Sequence, residues 1–142
     1  MTKPIKNMAA SVRSRLMHKA KEMNMTFDEI MTLYMLERML YRLSVSRYCN
    51  QFVLKGGLFL NVLFEEQHRT TKDADLLAKQ LSNQLDIISN NFSEICSLDC
   101  NDGLIFDSDN LRTVRIREDA DYEGVRVNVV CYLGQAKKEL QI

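Results

Sequence analysis

Residues 54–76, which read LKGGLFLNVLFEEQHRTTKDADL, decide how the rest of the chain is interpreted. The apolar run 52–54 leads into this stretch and is typical of a buried strand, and Gly56 and Gly57 end that run. The apolar residues 58–64 then predict a short helix. A strand, a glycine pair and a helix N-terminus in this order leave backbone N–H groups free to bind an anion such as phosphate.

The far end of the stretch carries two carboxylates in an Asp-x-Asp arrangement, Asp73 and Asp75, on a predicted second strand. Side chains at positions i and i+2 of an extended segment point to the same side, so both carboxylates can bind one cation. Phosphoryl or nucleotidyl transfer with Mg²⁺ or Mn²⁺ needs such carboxylates beside a phosphate-binding loop. A glycine pair alone is usually a turn, and Asp-x-Asp alone is usually a solvated loop. The prediction therefore depends on their combination.

The two ends of the stretch also resemble a known signature. Residues 54–60 (LKGGLFL) and 69–76 (RTTKDADL) are similar to the pattern of the AbiEii/AbiGii-type nucleotidyltransferase toxins, members of the DNA polymerase β-like nucleotidyltransferase superfamily. The resemblance extends over residues 27–142. It implies a toxin of a toxin–antitoxin or phage-defence pair that transfers a nucleotide from an NTP to an acceptor such as tRNA, with a cognate antitoxin protein as partner.

The resemblance also implies roles for individual residues. It makes Asp73 and Asp75 the metal-binding and catalytic pair. The residues that it assigns to nucleotide or phosphate binding are Lys55, Gly56, Gly57 and Arg69. For Lys55 and Arg69 an alternative stays open, in which they form salt bridges with nearby acids.

Two departures from the family pattern support a second hypothesis. Leu58 stands where the family usually has Ser or Thr, and its side chain cannot hydrogen-bond to phosphate. The family supplies a third carboxylate directly after a segment like residues 140–142, so we expect the chain to be the N-terminal part of a longer enzyme. Loss of a general base typically costs about 10²- to 10⁴-fold in rate. The alternative is therefore a truncated, catalytically inactive remnant that binds protein or RNA.

Composition places these motifs in an ordinary globular chain. The 142 residues are 46% hydrophobic and 27% charged, a size and mixture typical of one domain. No apolar run approaches the roughly 20 residues of a membrane span, and the polar N-terminus does not have the pattern of a secretion signal. We therefore expect a cytoplasmic protein without membrane association.

Periodicity along the chain predicts an α+β fold. Helices are expected over residues 8–23, 27–44 and 83–97, and strands over 52–54, 73–77, 104–106, 111–117, 125–132 and 137–142. The first two strands and the helix between them suggest a βαβ-like unit. The resemblance implies a polymerase β-like mixed sheet that is incomplete at the C-terminus. We expect an N-terminal helical region, residues 1–50, packed in a single domain with a partial nucleotidyltransferase core, residues 51–142.

Charge and cysteine content add two smaller expectations. The net charge of +0 combines a basic first half with an acidic second half. Within the predicted helix 8–23, Arg13, Arg15, Lys19 and Lys21 either face solvent, which is the commoner case, or bind RNA. The four cysteines lack metal-site spacing and are expected to be reduced thiols in the core.

Overall fold

The computed structural model describes residues 7–55, 75–78, 85–119 and 122–142. In this part of the chain there are three α-helices: α1 (Met8–Met23), α2 (Phe27–Val45) and α3 (Leu85–Cys96). There are also six strands: β1 (Phe52–Lys55), β2 (Asp75–Ala78), β3 (Leu104–Phe106), β4 (Arg112–Asp119), β5 (Tyr122–Leu133) and β6 (Ala136–Gln141). The predicted α+β class is confirmed, while the helix expected over 58–64 lies outside the described residues.

Local capping explains where the first two helices begin and end. The side chain of Asn7 accepts a hydrogen bond from the Ala10 amide at 3.0 Å, and Thr26 accepts one from the Glu29 amide at 3.1 Å. Each bond satisfies an N–H group that has no partner inside its own helix. Asn24 ends α1 in the left-handed conformation with φ of 54°. Asn7 and Asn24 therefore mark the two ends of α1, and Thr26 marks the start of α2.

The long strand β5 organises the C-terminal sheet. It pairs antiparallel with β3, β4 and β6, and its buried residues Val127, Val129, Cys131 and Leu133 alternate with more exposed ones. The β5–β6 pairing continues to Ile142, which exchanges two backbone hydrogen bonds with Val127 at 2.9 and 3.0 Å. β5 begins three residues earlier than the predicted strand 125–132, because pairing with β4 extends it through the polar residues before Val125.

The strands β1 and β2 form a separate two-stranded ladder. They pair antiparallel, with Phe52 opposite Ala78 and Lys55 opposite Asp75. A βαβ unit would place these strands parallel, so the βαβ-like interpretation of this region was wrong. The described strand pairs are all antiparallel.

One hydrophobic core joins the helices to the sheet. Its fully buried members include Met35 and Leu36 on α2, Ile95 on α3 and Leu140 on β6. These side chains form one cluster with the inward residues of β5. Two layers, helices on one face and an antiparallel sheet on the other, therefore give this part of the chain its stability.

The thiols are divided between the core and the surface. Cys96 and Cys131 are buried, as expected, whereas Cys49 is exposed and Cys100 is partly exposed. Burial raises the pKa of Cys96 to about 12, with the nearby Arg42 charge opposing the shift, so this thiol is inert at neutral pH. No helix among the described residues has the length and apolar character needed to cross a membrane.

Candidate functional site

The β1–β2 ladder carries the described part of the predicted transfer site. Lys55 is the last residue of β1 and Asp75 is the first residue of β2, and the register makes them direct cross-strand partners. Directly opposed residues of an antiparallel pair have Cα atoms about 4.5–5.5 Å apart. The fold therefore brings together the backbone positions of a predicted phosphate-contacting cation and a predicted metal-binding carboxylate, which are 20 residues apart in sequence.

The remaining site residues of the sequence analysis are outside the described part of the chain. They are Gly56, Gly57, Arg69 and Asp73, together with Leu58. In sequence, the glycine pair directly follows Lys55, and Asp73 precedes Asp75 by two residues. The assignments of all these residues stay predictions.

The ladder is attached to the core through aromatic packing. The rings of Phe52 on β1 and Phe92 on α3 meet edge to face, with centroids 5.5 Å apart. Phe92 is buried, and Phe52 and Leu76 pack against the same cluster from its margin. Aromatic pairs of this geometry are stabilising beyond their buried area, so β1 has a fixed attachment to α3.

The donor chemistry of the predicted carboxylate pair fits a hard divalent cation. Asp73 and Asp75 offer only oxygen ligands, which Mg²⁺ and Mn²⁺ prefer. Mg²⁺ is typically bound through one or two carboxylates and completed by substrate phosphates and water. Within the described ranges, no group of three or more His, Cys, Asp or Glu side chains is arranged to hold a metal ion.

A buried ionic cluster that the sequence analysis missed lies between α2 and the turn before β3. Arg42 is 1% exposed, and its guanidinium donates to both carboxylate oxygens of Asp102, at 2.7 Å and 3.0 Å. Arg38 donates to the same carboxylate at 2.8 Å, and the Leu104 amide donates to it at 3.2 Å. Both oxygens of Asp102 are thus occupied by protein donors.

Further contacts of Arg42 and Tyr34 fix the chain around this carboxylate. Arg42 Nε donates to the Leu98 carbonyl at 3.0 Å, and its guanidinium lies 4.7 Å from the centre of the Phe106 ring. Tyr34 Oη donates to the Asp102 carbonyl at 2.8 Å. Because its polar groups are satisfied inside the protein, the cluster joins α2 to the turn and does not form an open catalytic site.

The electrostatics of the cluster follow from burial and charge together. Burial raises the pKa of Asp102, but hydrogen bonds from Arg42 and Arg38 outweigh this and lower the pKa overall. For Tyr34, burial and the Asp102 charge raise the pKa of the hydroxyl. At neutral pH the cluster therefore holds an ionised carboxylate and a neutral phenol.

A signal for this cluster was present in the sequence. Arg42 lies among the apolar positions of α2, between Met39 and Leu43, which are both buried. A cation at a core-facing position needs a partner, because an unpaired buried charge is very unfavourable. Periodicity shows that a partner is required, whereas only the fold shows that Asp102 provides it.

The α+β architecture, with Lys55 opposite Asp75 at one end of the β1–β2 ladder, is compatible with a nucleotidyl-transfer protein. The family model described as "Nucleotidyl transferase AbiEii toxin, Type IV TA system" matches residues 38–142. This match covers about three-quarters of the sequence, and the chain belongs to the AbiEii family of nucleotidyl transferase toxins. No curated protein matches the chain.

Membership confirms the coarser part of the predicted function. The family consists of nucleotidyl transferases that act as toxins of type IV toxin–antitoxin systems, which implies a nucleotide substrate and an antitoxin partner. The matched region contains β1 to β6, α3 and the Arg38–Arg42–Asp102 cluster. Helix α1 precedes it.

Proposed function

We propose that this protein transfers a nucleotide from an NTP to an RNA acceptor such as tRNA, in a reaction that depends on Mg²⁺ or Mn²⁺. Family membership supports nucleotidyl transfer in a toxin–antitoxin context. The observation that carries the assignment of the site is the register of the β1–β2 ladder, which makes Lys55 and Asp75 direct partners. A cation and a carboxylate at one end of a ladder suit a substrate that carries phosphate and metal charges together.

Each residue of the proposed site has a distinct task. Asp73 and Asp75 would hold the metal ion, which when bound neutralises charge on the triphosphate. Lys55 and Arg69 would attract the phosphates and hold them in place, since both are cations flanking the glycine pair and the carboxylates in sequence. The glycine pair, Gly56-Gly57, would let phosphate approach the backbone without obstruction by a side chain.

Transfer of label from each α-labelled NTP to tRNA, with Mg²⁺, tests the proposal. The protein should be expressed as its native gene encodes it, including any residues after Ile142. We expect transfer with at least one nucleotide. We also expect Asp73→Asn and Asp75→Asn each to abolish metal-dependent NTP binding and to reduce transfer by about 100-fold or more, because each removes a charged metal ligand.

A matched control separates loss of the site from loss of charge. Asp109→Asn removes one carboxylate from an exposed turn, and we expect it to bind NTP and transfer label normally. Metal-dependent NTP binding that survives in both site variants would refute the metal assignment. Absence of transfer with all four nucleotides, combined with intact tRNA binding, would instead favour the inactive binding module.

A further inference from the structure

Helix α1 carries four exposed cations and one acidic residue. Arg13, Arg15, Lys19 and Lys21 are all exposed, and Glu22 is the one acidic residue of the helix. The Glu22 carboxylate lies 3.3 Å from the imidazole of His18 on the next turn. The four cations are named here the α1 basic face.

The four side chains of the α1 basic face have no carboxylate partner in the described part of the chain, and the same holds for the exposed Arg115, Arg126 and Lys137 of the sheet. Helix α1 differs from the sheet because it carries four such cations between residues 13 and 21. Three other surface cations are paired: the exposed Arg47 with Glu94, the exposed Arg112 with Glu139, and the partly exposed Lys138 with Asp28. Cations without carboxylate partners are available to bind an external polyanion.

An exposed aromatic side chain lies on the neighbouring helix. Tyr41 of α2 is 45% exposed, and the Arg38 guanidinium lies 4.3 Å from the centre of its ring. Tyr34, Arg38 and Tyr41 recur at spacings of four and three residues, so they follow one face of α2. Helix α1 packs against α2, and the Arg13 guanidinium of α1 lies 5.5 Å from the centre of the Phe27 ring of α2.

The chemistry of this surface favours nucleic acid over a lipid bilayer. An interfacial membrane helix needs an apolar face directed outward, whereas the one large hydrophobic residue exposed on α1 is Met17. Cations that bind phosphates beside an aromatic ring on which a base can stack are typical of RNA-binding surfaces. The surface therefore has the two contact types that a partly unpaired RNA requires.

We propose that the α1 basic face and Tyr41 form an RNA-binding surface that holds the acceptor RNA. The choice of RNA over DNA rests on the proposed function, since that reaction needs an RNA acceptor. Within it, Arg15 and Lys19, which adjoin each other at a spacing of four residues, contact the phosphodiester backbone, and Tyr41 stacks on an unpaired base. Helix α1 lies outside the region matched by the family model, so the cations of this surface precede the matched region, whereas Tyr41 lies within it.

Binding of a fluorescently labelled tRNA transcript, without NTP, tests the surface directly. The charge-reversal variant Arg15→Glu/Lys19→Glu should raise the Kd at about 0.1 M salt by about tenfold or more. It should also reduce the slope of log Kd against log salt by roughly 1.4 to 1.8, because two phosphate contacts are lost. Tyr41→Ala should weaken binding by about fivefold or more with an unchanged salt slope, because stacking releases no counterions.

The matched control is Arg115→Glu/Lys137→Glu, which changes the net charge equally at two exposed positions on the sheet. It should bind tRNA within about twofold of the unmodified protein. Equal weakening by both charge-reversal pairs would overturn the proposal, because net charge alone would then account for binding. If the Arg15→Glu/Lys19→Glu variant did not fold, Arg15→Gln/Lys19→Gln would be used instead. Its slope of log Kd against log salt should be reduced by the same two phosphate contacts, and an unchanged slope would overturn the proposal.

Two further probes test the choice of RNA. A DNA hairpin of the same sequence should bind at least about fivefold more weakly, since DNA lacks the 2′-hydroxyl by which proteins distinguish RNA. Equal binding of DNA would overturn the RNA assignment. Vesicles containing one-third phosphatidylglycerol should show no binding that depends on α1, and α1-dependent vesicle binding without any effect on tRNA would refute the proposal.

The outcomes separate this inference from the proposed transfer reaction. Asp73→Asn should abolish transfer while leaving tRNA affinity intact. The α1 variant should raise the KM for tRNA and leave metal-dependent NTP binding intact. Transfer with an unaltered KM in the α1 variant would refute the surface alone, whereas α1-dependent tRNA binding without transfer would refute the reaction alone.

Discussion

Arg42 on α2 and Arg15 on α1 both belong to the basic first half of the chain, but their surroundings are opposite. Arg42 is 1% exposed and donates two hydrogen bonds to Asp102. Arg15 is exposed, and its guanidinium donates to the Ser11 carbonyl of its own helix at 3.4 Å. The comparison teaches that an excess of basic residues divides into cations that stabilise the fold and cations available to partners. Net charge alone cannot distinguish the two.

The turn 101–103 connects both helices to the sheet. Asp102 pairs with Arg38 and Arg42 of α2, while a Cβ atom on Gly103 would lie 3.1 Å from the Ala9 Cα atom of α1. From the sequence alone, the Asn-Asp-Gly segment predicts an ordinary turn. Its role in positioning two helices appears only in the tertiary structure.

The largest expected effect on stability comes from removing the carboxylate that pairs with the buried Arg42. Asp102→Asn leaves the Arg42 guanidinium buried without a counter-charge, and we expect the free energy of unfolding to fall by about 3–5 kcal/mol. Urea denaturation at pH 7 measures this, with Asp109→Asn as an exposed control that changes stability by less than about 0.5 kcal/mol. The double variant Arg42→Leu/Asp102→Asn should be more stable than Asp102→Asn alone, since the charge left without its partner, on Arg38, is partly exposed and no fully buried charge remains unpaired.

The same pair predicts a pH dependence. The folded-state pKa of Asp102 lies below its unfolded value of about 3.9, so its stabilisation is present above that value and is lost as the pH falls further. The difference in unfolding free energy between the unmodified protein and Asp102→Asn should therefore shrink as the pH is lowered below about 4. A difference that stays constant down to pH 2 would contradict the ionised pair.

An intermediate effect is expected where the turn meets α1. Gly103 has a φ of +79°, and an added Cβ atom would meet the backbone of Ala9, so Gly103→Ala should cost about 1–3 kcal/mol. Gly134 is a matched control. Its φ is +61°, but its added Cβ atom would lie 3.6 Å from the Ala9 side chain, which is ordinary contact. Gly134→Ala should therefore cost only about 1 kcal/mol, and equal losses in thermal or urea unfolding would contradict the close approach at Gly103.

The smallest effect is expected on the exposed side of the comparison. Arg15→Glu/Lys19→Glu should change the free energy of unfolding by no more than about 0.5 kcal/mol, because neither cation has a carboxylate partner among the described residues. Urea denaturation of this variant also verifies the fold of the protein used for RNA binding. A loss comparable to that of Asp102→Asn would show that α1 is held in place by these charges.

Helices and strands whose bounds depend on nearby residues were predicted well from the sequence. The helix starting at Phe27 follows from the Thr26 cap, and α1 and β3 have the predicted bounds. The alternating valines of β5 identified a half-buried strand. Such signals depend on neighbours a few residues away, so a single sequence contains them.

The pairing of strands that lie far apart in the sequence was harder to predict from the sequence alone. The antiparallel register of β1 and β2 was missed because a strand, a predicted helix and a strand suggested a parallel unit. The candidate site is a prediction from its motif, and the structure adds the pairing of Lys55 with Asp75, which no spacing rule provides. The remaining site residues stay predictions.

The sequence by itself determined the α+β class, the Thr26 cap of α2 and membership of the AbiEii nucleotidyl transferase toxin family. Each of these depends on short-range periodicity or on a contiguous run of residues. Only the tertiary structure decided that Asp102 neutralises Arg38 and Arg42 and that the cations of α1 have no described carboxylate partner. The physical reason is that a charge is neutralised by whichever group the fold brings within a few ångströms, and Asp102 lies 60 residues beyond Arg42.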